Sequence, residues 1–481
     1  MHLNSPPVVA GALLTVAMAV SAPCGSIEAA AAGEGPVAGP SLASVEDGWG
    51  ESVWGWIPPP TPELTHRFEG VDRALWEHVL LVPYDVLAFL PRAVATALGG
   101  TAQLAADSRV PSFVYDTVTL KGTPLTGEVS ASLGGTDGLG VGYAVTAPID
   151  HRAGNGLRLA GALSTKRHVR ANLGVWLGRP ARALELGVGY SLEPNTRFFG
   201  LGPDAPERQL SYYTEETTWL GVGLRSTVAR GWVVGGMALM SSVAARGPRA
   251  EQSPPLEAVF LPGERPAGYG ERSEGVSLEL EIVNDGVADD RRPDRGGRQR
   301  LLVSRFQGAS GADADFWSLR LDLQRFLALP APARTLALRG MVAWLVAEGD
   351  RPIPFQRLMT SAHPDLLRGY PTDRWRDRGL LVANAEYRWP IWTWNRTDGL
   401  GVDAVAFSDL GQVFAEPDGI RLDRLTVSWG GGLRLITATG LAARAELGWS
   451  TEGAEARLAA SQLFGYEEGG LFRGRDPVPG R

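Results

Sequence analysis

The chain has few of the residues that build disulfides, metal sites and transmembrane helices. Cys24 is its only cysteine, so an internal disulfide is excluded. The six histidines are scattered without metal-ligand spacing, and no nucleotide-binding motif occurs, so neither a metal nor another cofactor is expected. Beyond the N-terminal residues, no run reaches the ~18 consecutive apolar residues of a transmembrane helix. The net charge of −7 gives no support to nucleic-acid binding.

The first 112 residues differ in composition from the rest of the chain. A short apolar stretch, Val8–Val20, precedes the small residues Ala29–Ala32, a pattern typical of an export signal. Further on, Leu75 and Val79 belong to a helically spaced apolar set that prolines interrupt. We therefore predict a signal peptide over 1–32, a Pro/Gly-rich linker over 33–65 and a short helical segment over 66–112. That segment forms a small cap on the periplasmic side, a plug inside the barrel or an amphipathic helix at the membrane surface.

Within residues 113–464, apolar and polar residues alternate with the period of two that characterises β-strands. In the stretch 317–324, Leu319 and Leu321 share one face, whereas Arg320 and Asp322 share the other. Charge recurring on the second face favours a water-filled lumen over a dry interior, because unpaired buried charge is costly. The pattern predicts an all-β transmembrane barrel over 113–464 and a polar tail over 465–481.

The alternation predicts about sixteen antiparallel strands, and an even number lets the two ends of the sheet meet and close. The connections alternate in length, with short turns at 178–180 and 437–439 and long loops at 192–215, 244–274 and 347–377. Outer-membrane barrels have short periplasmic turns and long external loops. The predicted strands span 125–134, 139–147, 156–165, 168–177, 182–191, 216–228, 231–243, 275–283, 299–307, 315–327, 334–346, 378–389, 400–410, 425–437, 440–450 and 454–464.

An ordered set of motifs follows the eleventh predicted strand. An Arg-Gly-Tyr triplet lies in the sixth external loop, a glutamate lies in the next strand, and a Phe-x-Asp-x-Gly pattern lies in the strand after that. This order resembles the barrel of the BamA/TamA outer-membrane assembly family, also called the bacterial surface antigen superfamily. The residues concerned are Arg368, Gly369, Tyr370, Glu386, Phe407, Asp409 and Gly411.

In that family the tip of loop six folds back into the barrel, and its arginine contacts acidic residues on the following strands. The resemblance implies that Arg368 meets Asp409, with Glu386 as a second partner. A guanidinium suits such a lock because it offers a rigid fork of donors and stays charged. The last strand is expected to end at Phe464, like the terminal aromatic residue of an insertion signal. Family members usually carry POTRA modules before the barrel. Residues 33–112 are too few and too broken by proline for one, so the resemblance implies a POTRA-less member.

The resemblance implies a non-enzymatic protein of the bacterial outer membrane that assists insertion or translocation of proteins, or of lipids. Its expected partners are outer-membrane lipids and unfolded outer-membrane or secreted proteins, and the barrel is expected to be monomeric. Two alternatives stay open. One is a passive pore, because sixteen strands can enclose an aqueous channel. The other is an enzyme such as a barrel phospholipase, which needs a Ser/His pair at the outer rim; no Gly-x-Ser-x-Gly motif occurs.

Overall fold

The computed structural model describes residues 120, 125–134, 138–150, 154–179, 181–249, 254–287, 293–309, 314–329, 334–361, 366–393, 401–437 and 440–459. Strands dominate this part of the chain. They are β1 (Thr126–Gly134), β2 (Gly138–Asp150), β3 (Asn155–Ser164), β4 (Val169–Arg179), β5 (Arg182–Phe198), β6 (Ser211–Ala229), β7 (Trp232–Arg246), β8 (Arg272–Asp285), β9 (Gly296–Gly308), β10 (Asp315–Ala328), β11 (Thr335–Glu348), β12 (Met359–Thr360), β13 (Arg376–Asp377), β14 (Gly379–Thr393), β15 (Gly401–Phe414), β16 (Thr426–Thr437), β17 (Gly440–Ser450) and β18 (Gly453–Ala459).

Sixteen of these strands form one antiparallel sheet that closes on itself. Each barrel strand pairs with its neighbours in sequence, and β11 pairs with β14 because β12 and β13 form a separate two-stranded ribbon in the connection between them. The connections at one end of the barrel, here called the turn end, are short apart from the one over 286–295 between β8 and β9. The long connections lie at the other end, here called the loop end. The closed order of sixteen strands confirms the predicted fold class, an all-β transmembrane barrel.

Two details differ from the sequence prediction. The connection predicted over 192–215 is shorter, because pairing between β5 and β6 resumes at Thr196–Tyr213 after a bulge. Asn195 occupies this bulge with a φ of 73°, the left-handed conformation that asparagine tolerates better than most residues. The β12–β13 ribbon was not predicted, since strands of two residues are too short to show alternation.

The burial pattern of the wall is inverted relative to that of a water-soluble β-protein. On β8, Leu278 and Leu280 are exposed, Leu278 to 61%, whereas the side chains of Ser277 and Glu281 are buried. Because strand neighbours point to opposite faces, the apolar set forms a continuous outer surface and the polar set lines the lumen. An outer apolar band of this kind is the lipid-facing surface of a transmembrane barrel.

The lumen has two chemically distinct regions. At the turn end, strand residues form ion pairs such as Arg298–Asp285, with a nitrogen–oxygen distance of 2.6 Å. At the loop end, Phe316 and Leu380 of the wall pack with Phe355 of a connection that turns inward, in the largest apolar core among the described residues. The expectation of a water-filled, charged lumen is therefore wrong for the loop end. Alternation identifies the inward face of a strand, but it does not show what a connection brings against that face.

Several sequence predictions lie outside the described residues. These are the signal peptide, the linker, the helical segment over 66–112, the terminal aromatic Phe464 and the polar tail. Among the residues that the structure describes, the one α-helix, α1, spans Leu256–Val259. No helix in that part of the chain is long and apolar enough to cross a membrane.

Candidate functional site in the barrel lumen

Loop six, the connection over residues 349–378 between β11 and β14, enters the lumen from the loop end. Its entering limb contains a 3-10 turn, Phe355–Arg357, followed by β12, and its returning limb contains β13. Between these limbs lies the tip, residues 366–370, which is closed by a hydrogen bond from the backbone N–H of Tyr370 to the carbonyl oxygen of Leu367 (3.1 Å). Leu366, Leu367 and Tyr370 are all buried and belong to the apolar core, which explains why the tip lies inside the barrel rather than in water.

The guanidinium of Arg368 is fully buried and contacts three carboxylates. It binds Asp409 of β15 as a fork, with Nε donating to Oδ2 at 2.9 Å and Nη2 donating to Oδ1 at 2.7 Å. Its Nη1 donates to Glu386 of β14 at 2.7 Å and to Glu446 of β17 at 3.4 Å. The backbone N–H of Arg368 also donates to Asp409, at 3.0 Å. One side chain of the loop thereby connects three strands of the wall.

The three carboxylates also bind groups on the wall itself. Glu386 accepts hydrogen bonds from Arg388 at 2.7 Å and from Arg434 at 2.9 Å. Glu446 accepts one from Arg444 at 3.1 Å. Asp409 depends more on the loop, because its other donors are the amide of Asn384 at 2.8 Å and the hydroxyl of Ser428 at 3.5 Å. Among the three acids, Asp409 is therefore the one whose charge is balanced chiefly by Arg368. The wall residues that donate hydrogen bonds to the three carboxylates are Asn384, Arg388, Ser428, Arg434 and Arg444.

Glycines let the tip approach the wall closely. A Cβ atom on Gly369 would lie 2.6 Å from the carbonyl oxygen of Trp449, and one on Gly448 would lie 2.7 Å from the carbonyl oxygen of Arg368. A Cβ atom on Gly411 would lie 2.8 Å from a methyl carbon of Leu367. These separations are shorter than any van der Waals contact, so residues with side chains are excluded at these positions unless the tip moves.

The ring of Phe407 packs against the guanidinium group of Arg368. The guanidinium carbon of Arg368 lies 3.6 Å from the centroid of the Phe407 ring, a cation–π arrangement. Phe407 and Asp409 are two residues apart on β15 and therefore share the lumen face. The Phe-x-Asp pattern thus supplies both the anion and the aromatic surface that Arg368 uses.

Tyr370 and the returning limb contact β16, β18 and the turn between β17 and β18. The Tyr370 hydroxyl group donates to the carbonyl oxygen of Val427 at 3.2 Å, and the Tyr370 carbonyl oxygen accepts a hydrogen bond from Arg457 of β18. Arg374 then forms an ion pair with Glu452, in the turn between β17 and β18, at 2.8 Å. Loop six is therefore attached to the C-terminal hairpin as well as to β14 and β15.

One acidic group of loop six has a shifted pKa. Burial raises the pKa of the Asp377 carboxyl in β13, while the backbone N–H and the charge of Arg378 oppose this shift. The carboxyl oxygen accepts a 2.7 Å hydrogen bond from that N–H. Burial dominates because only one strong donor among the described residues compensates the desolvated charge.

Comparison with known proteins agrees with this geometry. The Omp85 superfamily domain matches residues 122–456, which is most of the chain and nearly all of the barrel. The chain belongs to the Omp85 superfamily. The family match confirms the resemblance inferred from the loop-six and strand motifs. The protein is accordingly a β-barrel of the bacterial outer membrane. No curated protein matches the chain.

Several solved structures align with this Omp85 barrel at low sequence identity. BamA from Haemophilus ducreyi lacking POTRA domains 1–3 aligns with a TM-score of 0.54 at 13% identity, over 70% of this chain and 69% of that one. CdiB from Acinetobacter baumannii gives 0.45 at 11% identity, over 70% and 59% of the two chains. CdiB from Escherichia coli gives 0.47 at 12% identity, over 70% and 62%. The fold likeness rests on the first of these, because the other two are weaker.

The structure brings most of the motif residues singled out from the sequence into one cluster of this Omp85 barrel. The cluster contains residues of the loop tip and residues of the wall that contact the tip. The tip residues are Arg368, Gly369 and Tyr370, and the wall residues are Glu386, Phe407, Asp409 and Gly411. Phe464 lies outside the described residues. Sequence reasoning missed Glu446 and Asn384 as members. Asn384 donates at 2.9 Å to the carbonyl oxygen of Leu366. Its position two residues before Glu386 was the available signal, since both must face the lumen.

Proposed function

We propose that this protein assists the insertion or translocation of proteins at the outer membrane. The proposal follows from membership of the Omp85 superfamily and from the similarity to BamA. The single structural observation that favours it concerns the seam, the place where the first and last barrel strands meet. The first and last strands, β1 and β18, pair at Leu133–Leu458, and loop six is bonded beside this seam, because the Tyr370 carbonyl oxygen accepts a hydrogen bond from Arg457 of β18.

A seam of this kind can act as a lateral opening. Opening of the seam would expose backbone donors and acceptors of β1 and β18, and these groups can pair with an incoming strand. Pairing with a substrate strand would supply the hydrogen bonds that lipid cannot supply. The proposed substrates are unfolded outer-membrane proteins or secreted polypeptides, and the proposed action involves no covalent chemistry. The barrel acts as a monomer surrounded by outer-membrane lipid.

A seam cross-link tests the proposal. Leu133→Cys and Leu458→Cys in a Cys24→Ser background place two thiols at the directly paired position. Purified barrels are reconstituted into phospholipid vesicles, and a small outer-membrane barrel protein is added from urea. We expect the unlocked protein to accelerate folding of the added protein relative to empty vesicles, the oxidised form to lose the acceleration, and a reductant to restore it.

The matched control is a disulfide at a fully paired position. Leu173 and Val188 face each other on β4 and β5, where eleven pairs are formed. Oxidising Leu173→Cys/Val188→Cys should leave the acceleration unchanged. Acceleration that survives the seam cross-link, or that never exceeds that of empty vesicles, contradicts the proposed function.

The second candidate function is a passive channel, which the ion pairs lining the turn end of the lumen favour. The buried tip of loop six opposes it, because Leu367 and Arg368 occupy lumen space that a wide pore needs to be empty. Planar bilayer recordings distinguish the two. Small, flickering currents agree with the insertion role, whereas a steady large conductance in the unmodified protein favours the channel.

A further inference from the structure

Loop six has a further buried arginine that binds a different part of the wall from Arg368. Arg357 lies in the 3-10 turn of the entering limb and is fully buried. Its guanidinium donates to the hydroxyl groups of Ser241 on β7 at 2.8 Å and Ser273 on β8 at 3.1 Å. It also donates to the carbonyl oxygen of Ser273 at 2.9 Å. Arg357 therefore binds the adjoining strands β7 and β8.

Aromatic packing surrounds this second attachment point. The guanidinium carbon of Arg357 lies 4.3 Å from the centroid of the Phe306 ring. Phe355, two residues earlier, packs edge-on against Tyr213 at 5.0 Å and against Phe198 at 5.2 Å between ring centroids. The entering limb also bonds to the loop between β7 and β8, because the backbone N–H of Phe355 donates to the carbonyl oxygen of Ala267 at 2.9 Å. Burial of several aromatic rings makes this end of the loop costly to expose.

The two arginines attach loop six to separated parts of the wall. Arg357 binds β7 and β8, whereas Arg368 binds β14, β15 and β17, and the strands β9, β10 and β11 lie between the two sites in the barrel order. The loop therefore spans the lumen between two separated parts of the wall. The two ends differ in chemistry, because the Arg357 end packs among aromatic rings and the Arg368 end depends on charge pairing with carboxylates.

We propose that Arg357 is a positioning residue that forms the fixed end of a hinged crossbar, and that Arg368 forms its releasable end. Loss of the Arg368 contacts frees the tip and the residues up to Arg374, while the entering limb, with β13 paired to its β12, stays bound to β7 and β8. Loop six then swings about the Arg357 end instead of leaving the barrel as a unit. This inference concerns the mechanics of the barrel itself and needs no substrate, so it can fail independently of the insertion role.

Limited proteolysis of the folded barrel in detergent tests the hinge, because loop six carries natural cleavage sites at both ends. In Arg368→Ala, trypsin cleavage after Arg374 should accelerate about tenfold or more, as expected when local opening loses hydrogen bonds to charged groups. Cleavage after Arg357 should stay as slow as in the unmodified protein. Mass spectrometry of the peptides identifies each site, and the heat-dependent shift in gel mobility verifies that the barrel is closed.

The reciprocal variant tests the fixed end. In Arg357→Ala, chymotrypsin cleavage after Phe355 should accelerate, whereas trypsin cleavage after Arg368 should stay slow. Ser273→Ala, which removes one acceptor and keeps the arginine, should give a smaller acceleration at the same site if Arg357→Ala does not fold. Arg421→Ala is the matched control, because Arg421 pairs with the exposed Asp423 in the connection between β15 and β16, outside loop six, and it should change neither pattern.

Two results would overturn the hinge. If Arg368→Ala exposes the sites after Arg357 and Arg374 at the same rate, the loop is released as one unit. If neither Arg357→Ala nor Ser273→Ala alters cleavage after Phe355, Arg357 does not hold the entering limb.

Discussion

Replacing Arg368 by alanine removes the group that balances a buried carboxylate. Glu386 keeps Arg388 and Arg434, and Asp409 keeps only the amide of Asn384 at 2.8 Å and the distant Ser428 hydroxyl among the contacts described above. The free-energy cost of the substitution should therefore arise mainly from the unbalanced charge of Asp409. Breaking a buried ion pair from one side typically costs about 3–5 kcal/mol. The barrel can escape part of this cost by letting the loop tip leave and water reach the carboxylate.

The expected result is a large shift in loop position with a smaller effect on barrel stability. A cost of about 3 kcal/mol corresponds to about a hundredfold change in the ratio of released to bound tip. Leu367→Cys, in a Cys24→Ser background, reports this ratio, because Leu367 is 4% exposed when the tip is bound. Labelling by a membrane-impermeant maleimide should accelerate about a hundredfold when Arg368→Ala is added.

A neutralising second substitution provides the internal test. Asp409→Asn keeps the shape of the side chain but removes the charge that Arg368→Ala leaves unbalanced. The double variant should therefore label much more slowly than Arg368→Ala alone, because the two costs are not additive. Labelling of Leu367→Cys at the same rate with and without Arg368 would refute the reasoning. A double variant whose labelling rate reflects the full sum of the two single free-energy costs would refute it too.

Three further predictions concern the wall and the loop. Gly369→Ala should loosen the tip by about 1–3 kcal/mol through overpacking and accelerate the same labelling, whereas Gly236→Ala, which meets open space, should not. Leu278→Arg places a charge on the exposed apolar band and should cost about 2–4 kcal/mol if it lies near the bilayer midplane, visible as a lower folded yield in vesicles; an unchanged yield contradicts the lipid-facing assignment. Because burial raises the pKa of Asp377, its charged form destabilises the folded loop once the pH exceeds the ordinary carboxyl range. Asp377→Asn should therefore slow loop proteolysis at neutral pH, with a gain that shrinks as the pH falls through the raised pKa, whereas the fully exposed Asp423→Asn should show no such gain.

Much of the fold was predictable from the sequence because the wall has a simple period. Alternation such as that of Leu278 and Leu280 with Glu279 and Glu281 identifies a strand and its lipid face without any tertiary information. The partners of Arg368 on β14 and β15 were predictable because a family motif links them to the loop. Membership of Glu446 in the same cluster was not predictable, because it depends on the register of β17 against β16 and on the depth to which the tip enters.

The apolar core at the loop end also escaped the sequence prediction. Phe355 and Arg357 sit in an irregular segment where no period marks the buried side. Their roles arise from long-range contacts with β6, β7 and β8, and loop chemistry alone does not specify such contacts. Irregular connections inside a regular wall are thus the part of this molecule that required the structure.

A cysteine cross-link between the loop tip and the wall tests the central claim most directly. A Cβ atom on Gly411 would lie 3.2 Å from the Cγ atom of Leu367, which suits a disulfide between Leu367→Cys and Gly411→Cys. With Cys24 replaced by serine, mild oxidation of the barrel in intact outer membranes should join these positions rapidly, whereas Leu367→Cys with Gly236→Cys on the outer face of β7 should not cross-link. Failure of the first pair to cross-link, or equal cross-linking of both pairs, contradicts a loop six that is locked inside the lumen by Arg368.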